Sequence, residues 1–157
     1  MTTRPPDSGV LPRVQALVLR NGKILMAKHR EGDVEYWCLP GGALEEGETP
    51  EEGALRELRE EARVEGCIAR RIHHFTDADG FEGHTFLVEI GDQQPRLGHD
   101  PEAELLGRAI LTDLQWLALD EIPERDRAFL WMNGLLGLDR FVKDVERWGD
   151  AISYPGA

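Results

Sequence analysis

Cysteine is scarce in this 157-residue chain, which has only Cys38 and Cys67 and no CxxC pair. Two thiols exclude a disulfide framework and fit a reduced, cytoplasmic protein. No apolar run approaches the roughly 18 residues of a membrane-crossing helix, so no membrane partner is expected. Positive charge is also short: 18 Lys and Arg stand against 30 Asp and Glu, for a formal net charge of −12. A chain this acidic lacks the basic footprint that binds long nucleic acid. A small anionic substrate stays open, because a few local cations or a bound metal ion outweigh the global field. Residues 1–12, MTTRPPDSGVLP, lack the apolar run of a signal peptide and read as a flexible lead-in. Residues 13–157 read as a single domain, a length that suits one core.

RVQALVLR (13–20) and KILMAKHR (23–30) carry strand patterning around Asn21-Gly22, the favoured two-residue hairpin turn. YWCL (36–39) reads as a short strand ending at a Pro40-Gly41-Gly42 turn. CIARRIHHF (67–75), HTFLVEI (84–90) and AILTDLQWLAL (109–119) read as further strands. GDQQPRLGHDPEAE (91–104) is a long polar loop, itself a hint of function. The segment from Asp120 to Trp148 reads as one or two amphipathic helices interrupted near Gly134 or Gly137. Strands, helix, strands, helix imply a mixed sheet with helices on its faces, an α+β chain in an α/β/α sandwich.

Acidic charge is concentrated. Residues 45–65 hold nine glutamates and three arginines. Thr49 as N-cap, Pro50 in the first turn and Glu52 three residues after the cap start a helix predicted to run to about Val64. At about 100° per residue, Leu55, Leu58 and Ala62 share an apolar face and Glu57, Glu60 and Glu61 share another. A merely solvated helix alternates charges at i,i+4, as Glu52, Arg56 and Glu60 do. Glu57 with Glu60 and Glu61 breaks that rule, and near the helix C-terminus the macrodipole disfavours anions too. A divalent cation resolves the conflict. Hard oxygen donors on a rigid face suit Mg²⁺ or Mn²⁺, and magnesium commonly shares its shell with substrate phosphates. The Gly-rich turn before the helix allows positive φ and close backbone approach, and a carbonyl there would add a ligand.

The same residues carry a resemblance. Gly42, five residues, Glu48, seven residues, then Arg56-Glu57-Leu58-Arg59-Glu60-Glu61-Ala62-Arg63-Val64 resembles the signature of the Nudix hydrolase family. One position departs: Arg63 stands where the pattern has glycine, and the helix is therefore expected to extend toward Gly66. WCLPGG (37–42) and LQWLALDEI (114–122) resemble the family's flanking segments. The resemblance implies the Nudix fold and hydrolysis of a nucleoside diphosphate linked to another moiety, by water attack on phosphorus with divalent metal. It implies Glu57, Glu60, Glu61 and the Gly42 carbonyl as metal ligands, Glu48 as a supporting or water-mediated contact, and Arg56 as the residue that orients the glutamates. The general base would be Glu60 or Glu61, or an acid of the later loop, Asp100, Glu102 or Glu104. Gln115, before Trp116, stands where some members carry an extra glutamate ligand.

Substrate signals are weaker. Lys28 and Arg30 are candidates for phosphate contacts, and Tyr36 and Phe81 for stacking on a base. Subfamily markers are mostly missing, so an ADP-ribose-like, dinucleoside polyphosphate or dNTP-type substrate all remain. The alternative is a non-catalytic Nudix-fold module that binds a nucleotide for regulation. The apolar run RAFLWMNGLLGL packs on the sheet in the simplest reading and would also serve as a homodimer surface.

Overall fold

The computed structural model describes residues 11–101, 105, 109–139 and 141–143. Among the described residues, eight strands form two four-stranded sheets: β1 (Arg13–Leu17), β2 (Leu19–Arg20), β3 (Lys23–Glu31), β4 (Val34–Cys38), β5 (Gly41–Ala43), β6 (Cys67–Thr76), β7 (Glu82–Glu89) and β8 (Ile110–Leu117). The first sheet runs β5-β1-β7-β6, with β1 parallel to β7 and the other pairs antiparallel. In the second, β8 takes one edge of β3, and β2 and β4 share the other. Helix α1 spans Pro50–Ala62 and helix α2 spans Glu124–Met132, with 3-10 turns at Leu119–Glu121 and Leu135–Gly137.

Alternation along the strands sorts side chains into two cores. Val14 and Ala16 of β1, Leu25 of β3, and Phe86 and Val88 of β7 face Ala54, Leu58 and Ala62 of α1. Leu17, Ile24 and Met26 belong to the opposite core, with Ile122, Leu130, Leu135, Leu138 and Phe141. Helices therefore cover both faces of the strands, the α+β layering the patterning implied. Burying a side chain such as Leu58 contributes roughly 1.5–3 kcal/mol. Among the described residues, no helix is long and apolar enough to cross a membrane.

Three local expectations change. The strand expected over 13–20 breaks at Val18, because β1 pairs in one sheet and β2 in the other. The expected Pro40-Gly41-Gly42 turn is instead the start of β5, and neither glycine has positive φ. These glycines serve close approach: a Cβ on Gly41 would lie 2.3 Å from the Val14 carbonyl oxygen, and one on Gly42 would lie 2.5 Å from Glu57 Oε1. The C-terminal helix is interrupted at Gly134, which takes φ 85°, while residues 144–157 lie outside the described residues.

The third change is the end of α1. Its start is as the sequence predicts, with Thr49 Oγ1 accepting from the Glu52 amide at 3.2 Å. The helix does not extend toward Gly66. It stops at Ala62, and Arg63 itself takes the left-handed conformation (φ 54°, ψ 40°). The amides of Arg96, Gly98 and His99 bond the carbonyls of Ala62, Glu61 and Glu60 at 2.9, 2.8 and 3.0 Å, so the final turn is capped by the long polar loop. Gly66 is needed for packing: a Cβ there would sit 2.5 Å from Val88 Cγ1. Arg63→Gly is expected to stabilise the fold by about 0.5–1 kcal/mol, by relieving left-handed strain at the helix cap. Urea unfolding of the two proteins measures this difference.

Candidate active site

Glu57 and Glu61 lie one turn apart on α1 and are turned inward rather than to solvent, with exposures of 2% and 0%. Glu61 accepts a hydrogen bond from the Gly41 amide at 3.1 Å. Among the described residues, the second oxygen of each carboxylate, Oε2, is buried without a hydrogen-bond partner. Glu60 sits beside them and is partly open to solvent.

Arg56 ties the constellation together. Its guanidinium donates to both oxygens of Glu48 at 2.8 and 3.1 Å, to Glu57 Oε1 at 3.0 Å, to Glu60 Oε2 at 3.3 Å and to the Ala43 carbonyl at 3.0 Å. A planar fork with several donors suits this multidentate role better than a lysine ammonium would. The arginine holds Glu48 below the usual carboxylate range, chiefly through those hydrogen bonds. It does not offset the burial of its other neighbours. Burial pushes Glu57 up to about 7, against the partial relief given by Arg56. Burial, then repulsion from Glu57, raises Glu61 well above the ordinary value, and burial also raises Glu60.

These shifts make the fold pH-dependent. A carboxylate whose folded pKa is raised binds more protons in the native state, so stability falls as pH rises between the unfolded and folded values. For Glu57 that window runs from 4.5 to about 7. In metal-free buffer, wild type is expected to lose on the order of a few kcal/mol across it relative to Glu57→Gln. Chemical denaturation of both proteins at pH 5 and pH 8 checks the sign.

His29 adjoins this cluster from β3. Its Nδ1 lies 3.2 Å from Cys38 Sγ and its Nε2 3.6 Å from Glu61 Oε2, and its ring stacks on Tyr36 at 5.7 Å. Burial lowers its pKa, so the contact with Glu61 is not a formed ion pair. Burial, and then Glu61, pushes the Cys38 thiol up, which keeps it protonated and unreactive. His29, Glu61 and Asp100 each offer one ligand atom within 4.8 Å of the others.

A cleft of about 740 Å³ opens beside the carboxylates. Gly41, Gly42, Glu57, His29 and Asp100 line one part, and Arg125, Phe129 and Asn133 of the α2 region line another, with Arg13 and Tyr36 also in the wall. Of the four substrate candidates read from the sequence, Tyr36 lines this cleft, and Lys28, Arg30 and Phe81 are not among its lining residues. Lys28 pairs with Glu35 at 2.9 Å and lies over the Trp37 ring, and Phe81 packs on Phe75. Asp100 borders the cleft, whereas Glu102 and Glu104 lie outside the described residues. Gln115 bonds Asp113.

The sequence reading missed Arg13, His29, Arg125 and Phe129. Strand alternation carried a signal for His29, which must face away from Lys28 and Arg30 on the same strand. No signal marked Arg125 or Phe129, because only the packing of α2 beside β4 brings them to the cleft. The amide of Trp37 donates to Asp126 Oδ2 at 3.0 Å, and Arg125 donates to the Glu35 carbonyl.

A family model, the NUDIX domain, matches residues 10–135. An RNA pyrophosphohydrolase of Cereibacter sphaeroides is 38% identical over 91 residues, 55% of this chain and 54% of that protein. An ADP-ribose pyrophosphatase of Bacillus subtilis is 30% identical over 120 residues, 71% of this chain and 65% of that protein. The chain thus spans between about half and two thirds of the length of these relatives. A NUDIX hydrolase structure from Nitrosomonas europaea superposes with a TM-score of 0.62 at 22% identity, covering 82% of this chain and 87% of that one, which shows a shared fold. With its fold shared and most of its length matched by the family model, the chain belongs to the NUDIX family.

Proposed function

We propose that this protein is a divalent-metal-dependent pyrophosphohydrolase, acting in the cytoplasm on a nucleoside diphosphate linked to another moiety. The observation that carries the reading is the Glu57–Glu61 pair, two buried carboxylates each with an unpartnered oxygen beside a cleft of nucleotide size. Burying two like charges a turn apart is unfavourable unless a cation lies against them. The glutamate and Gly42 carbonyl donors are all hard oxygens, which suits Mg²⁺ or Mn²⁺ and not a soft metal. Glu57, Glu60, Glu61 and the Gly42 backbone would hold the ion, with Glu48 in support, and it would neutralise phosphate charge and acidify water.

The chain's own residues supply the rest. Arg56 fixes the directions of Glu48, Glu57 and Glu60, which orients these three carboxylates before substrate arrives. Arg13 and Arg125 are the cations of the cleft and are assigned to substrate phosphates; Tyr36 and Phe129 offer aromatic faces to a base. Glu60, Glu61 and Asp100 are the candidates to take the proton of the attacking water. Both curated relatives described above are named as enzymes that cleave pyrophosphate linkages, which supports the reaction class. The net charge of −12 favours a small nucleotide over a long RNA.

The test is a panel of ADP-ribose, diadenosine polyphosphates, dNTPs and 5′-triphosphorylated RNA, with Mg²⁺ or Mn²⁺, resolved by chromatography of the products. Cleavage of a pyrophosphate bond in a small nucleotide, abolished by EDTA, is the expected result. If every substrate stays intact while one still binds by calorimetry, the regulatory-module reading replaces this one. Mg²⁺ or Mn²⁺ alone is also expected to raise the melting temperature of wild type, since it binds only the folded state. Glu57→Gln should lose most of that increment in the same thermal scan.

A further inference from the structure

A second group of ligand-type side chains lies on the antiparallel β6–β7 pair and does not line the cleft. His74 and His84 are direct cross-strand partners, and their rings stack at 4.3 Å with planes 7° apart. Glu82 precedes His84 by two residues on β7 and so projects from the same face. Its Oε1 lies 2.8 Å from His74 Nε2 and 3.0 Å from His84 Nε2. Two imidazole nitrogens and one carboxylate oxygen thus lie within 4.8 Å of one another, and the sheet register brings them together.

We propose that His74, Glu82 and His84 form a second cation site, for a borderline transition-metal ion such as Zn²⁺, Ni²⁺ or Co²⁺, separate from the carboxylate site of the cleft. Two nitrogens and one oxygen are the donor set such ions prefer, and Mg²⁺ does not. Metal–ligand bonds of about 2.0–2.1 Å at a tetrahedral angle put neighbouring donors roughly 3.3–3.4 Å apart. The two spacings to Glu82 need to widen by about 0.4–0.5 Å, and the stacked imidazole rings must rotate so that both Nε2 lone pairs face the ion.

The protonation states suit binding as well. A metal ligand must be neutral imidazole or ionised carboxylate. Burial, and then the neighbouring His74, lowers the pKa of His84 and favours its neutral ring. The hydrogen bond from His74 holds Glu82 below the ordinary carboxylate value and keeps it ionised. His84 is 5% exposed, and among the described residues its Nδ1 is buried with no hydrogen-bond partner, so its contact with Glu82 is made through Nε2. His74 and Glu82 are about two-fifths exposed, which leaves an open side for entry of the ion and for a water ligand. Bound metal would clip the ends of β6 and β7 together.

The experiment uses the full chain in excess Mg²⁺, which occupies oxygen sites, with Zn²⁺ or Ni²⁺ titrated by calorimetry and Co²⁺ binding followed by visible absorption. One equivalent is expected, with the intense d–d bands of a low-coordinate nitrogen-containing site. His74→Ala, on an exposed strand position, and Glu82→Gln are each expected to weaken binding at least tenfold while the circular dichroism stays unchanged. Binding should persist in Glu57→Gln and in His73→Ala, a control at the adjacent histidine. Unaltered affinity in His74→Ala and Glu82→Gln, an equal loss in His73→Ala, or no binding by wild type would each overturn the site. Loss in Glu57→Gln would assign the ion to the carboxylate cluster instead.

Discussion

Glu61→Gln is expected to lower kcat by roughly 10²- to 10³-fold, the loss seen when one preorganised electrostatic group is removed from a site of charge transfer. Glutamine keeps the length and can keep the bond from the Gly41 amide, which lies 3.1 Å from Oε1 in the wild type. What it removes is the charge on a fully buried carboxylate whose second oxygen has no hydrogen-bond partner among the described residues. The same change should make the metal-free protein more stable, because it ends the repulsion between Glu57 and Glu61. Lower activity with a higher melting temperature separates a functional role from a structural one, since losing a structural group lowers both. Steady-state kinetics beside thermal scans with and without Mg²⁺ provide the measurement. Full activity in this variant would remove Glu61 from the proposed machinery.

Gly98→Ala is expected to be the most damaging single methyl addition in the polar loop. A Cβ at this position would lie 1.8 Å from the backbone carbonyl oxygen of Glu60, a contact that no side-chain rotation relieves. The loop must lift from the helix, and the bonds from the Arg96, Gly98 and His99 amides weaken together. An overpacked contact plus lost cap bonds corresponds to about 2–4 kcal/mol. Asp100 follows two residues later and borders the cleft, so catalysis should fall as well. Denaturant unfolding gives the first quantity and kcat/KM the second. Gly47→Ala serves as the comparison: that glycine has positive φ but open space around it, so only the modest left-handed strain applies.

The two variants probe parts of the site that differ in how visible they were beforehand. Arg56, Glu57, Glu60 and Glu61 were legible because a helix converts sequence spacing into angle without help from the rest of the chain. Their like-charge spacing contradicted what a solvated helix needs, and that contradiction was the signal. Gly42 and Glu48 were legible through the family pattern, and the fold brings both against the helix, one beneath Glu57 and the other on Arg56. The helix end was misread. Whether Arg63 continues a helix depends on what satisfies the last carbonyls, and here that is a loop more than thirty residues downstream.

Lys28 and Arg30 show the same limit from the other side. They were selected for charge and nearness to the box in sequence, but alternation sends His29, not its neighbours, toward Glu61. The cations of the cleft, Arg13 and Arg125, lie 112 positions apart (125 − 13) and meet the cleft only through packing. The linear spacing of the β6–β7 histidines matches no metal motif. Cross-strand pairing of His74 with His84 is a long-range contact that linear spacing does not report.

By itself, the sequence determined the strand and helix order, the capped start of α1 and the carboxylate face, because each follows from local periodicity and local hydrogen bonding. The tertiary structure decided how deeply Glu57 and Glu61 are buried, where α1 stops, which cations and aromatic rings line the cleft, and which histidines converge on Glu82. Those outcomes depend on solvent exclusion and on contacts between residues distant in the chain, and neither is a property of a short stretch of sequence.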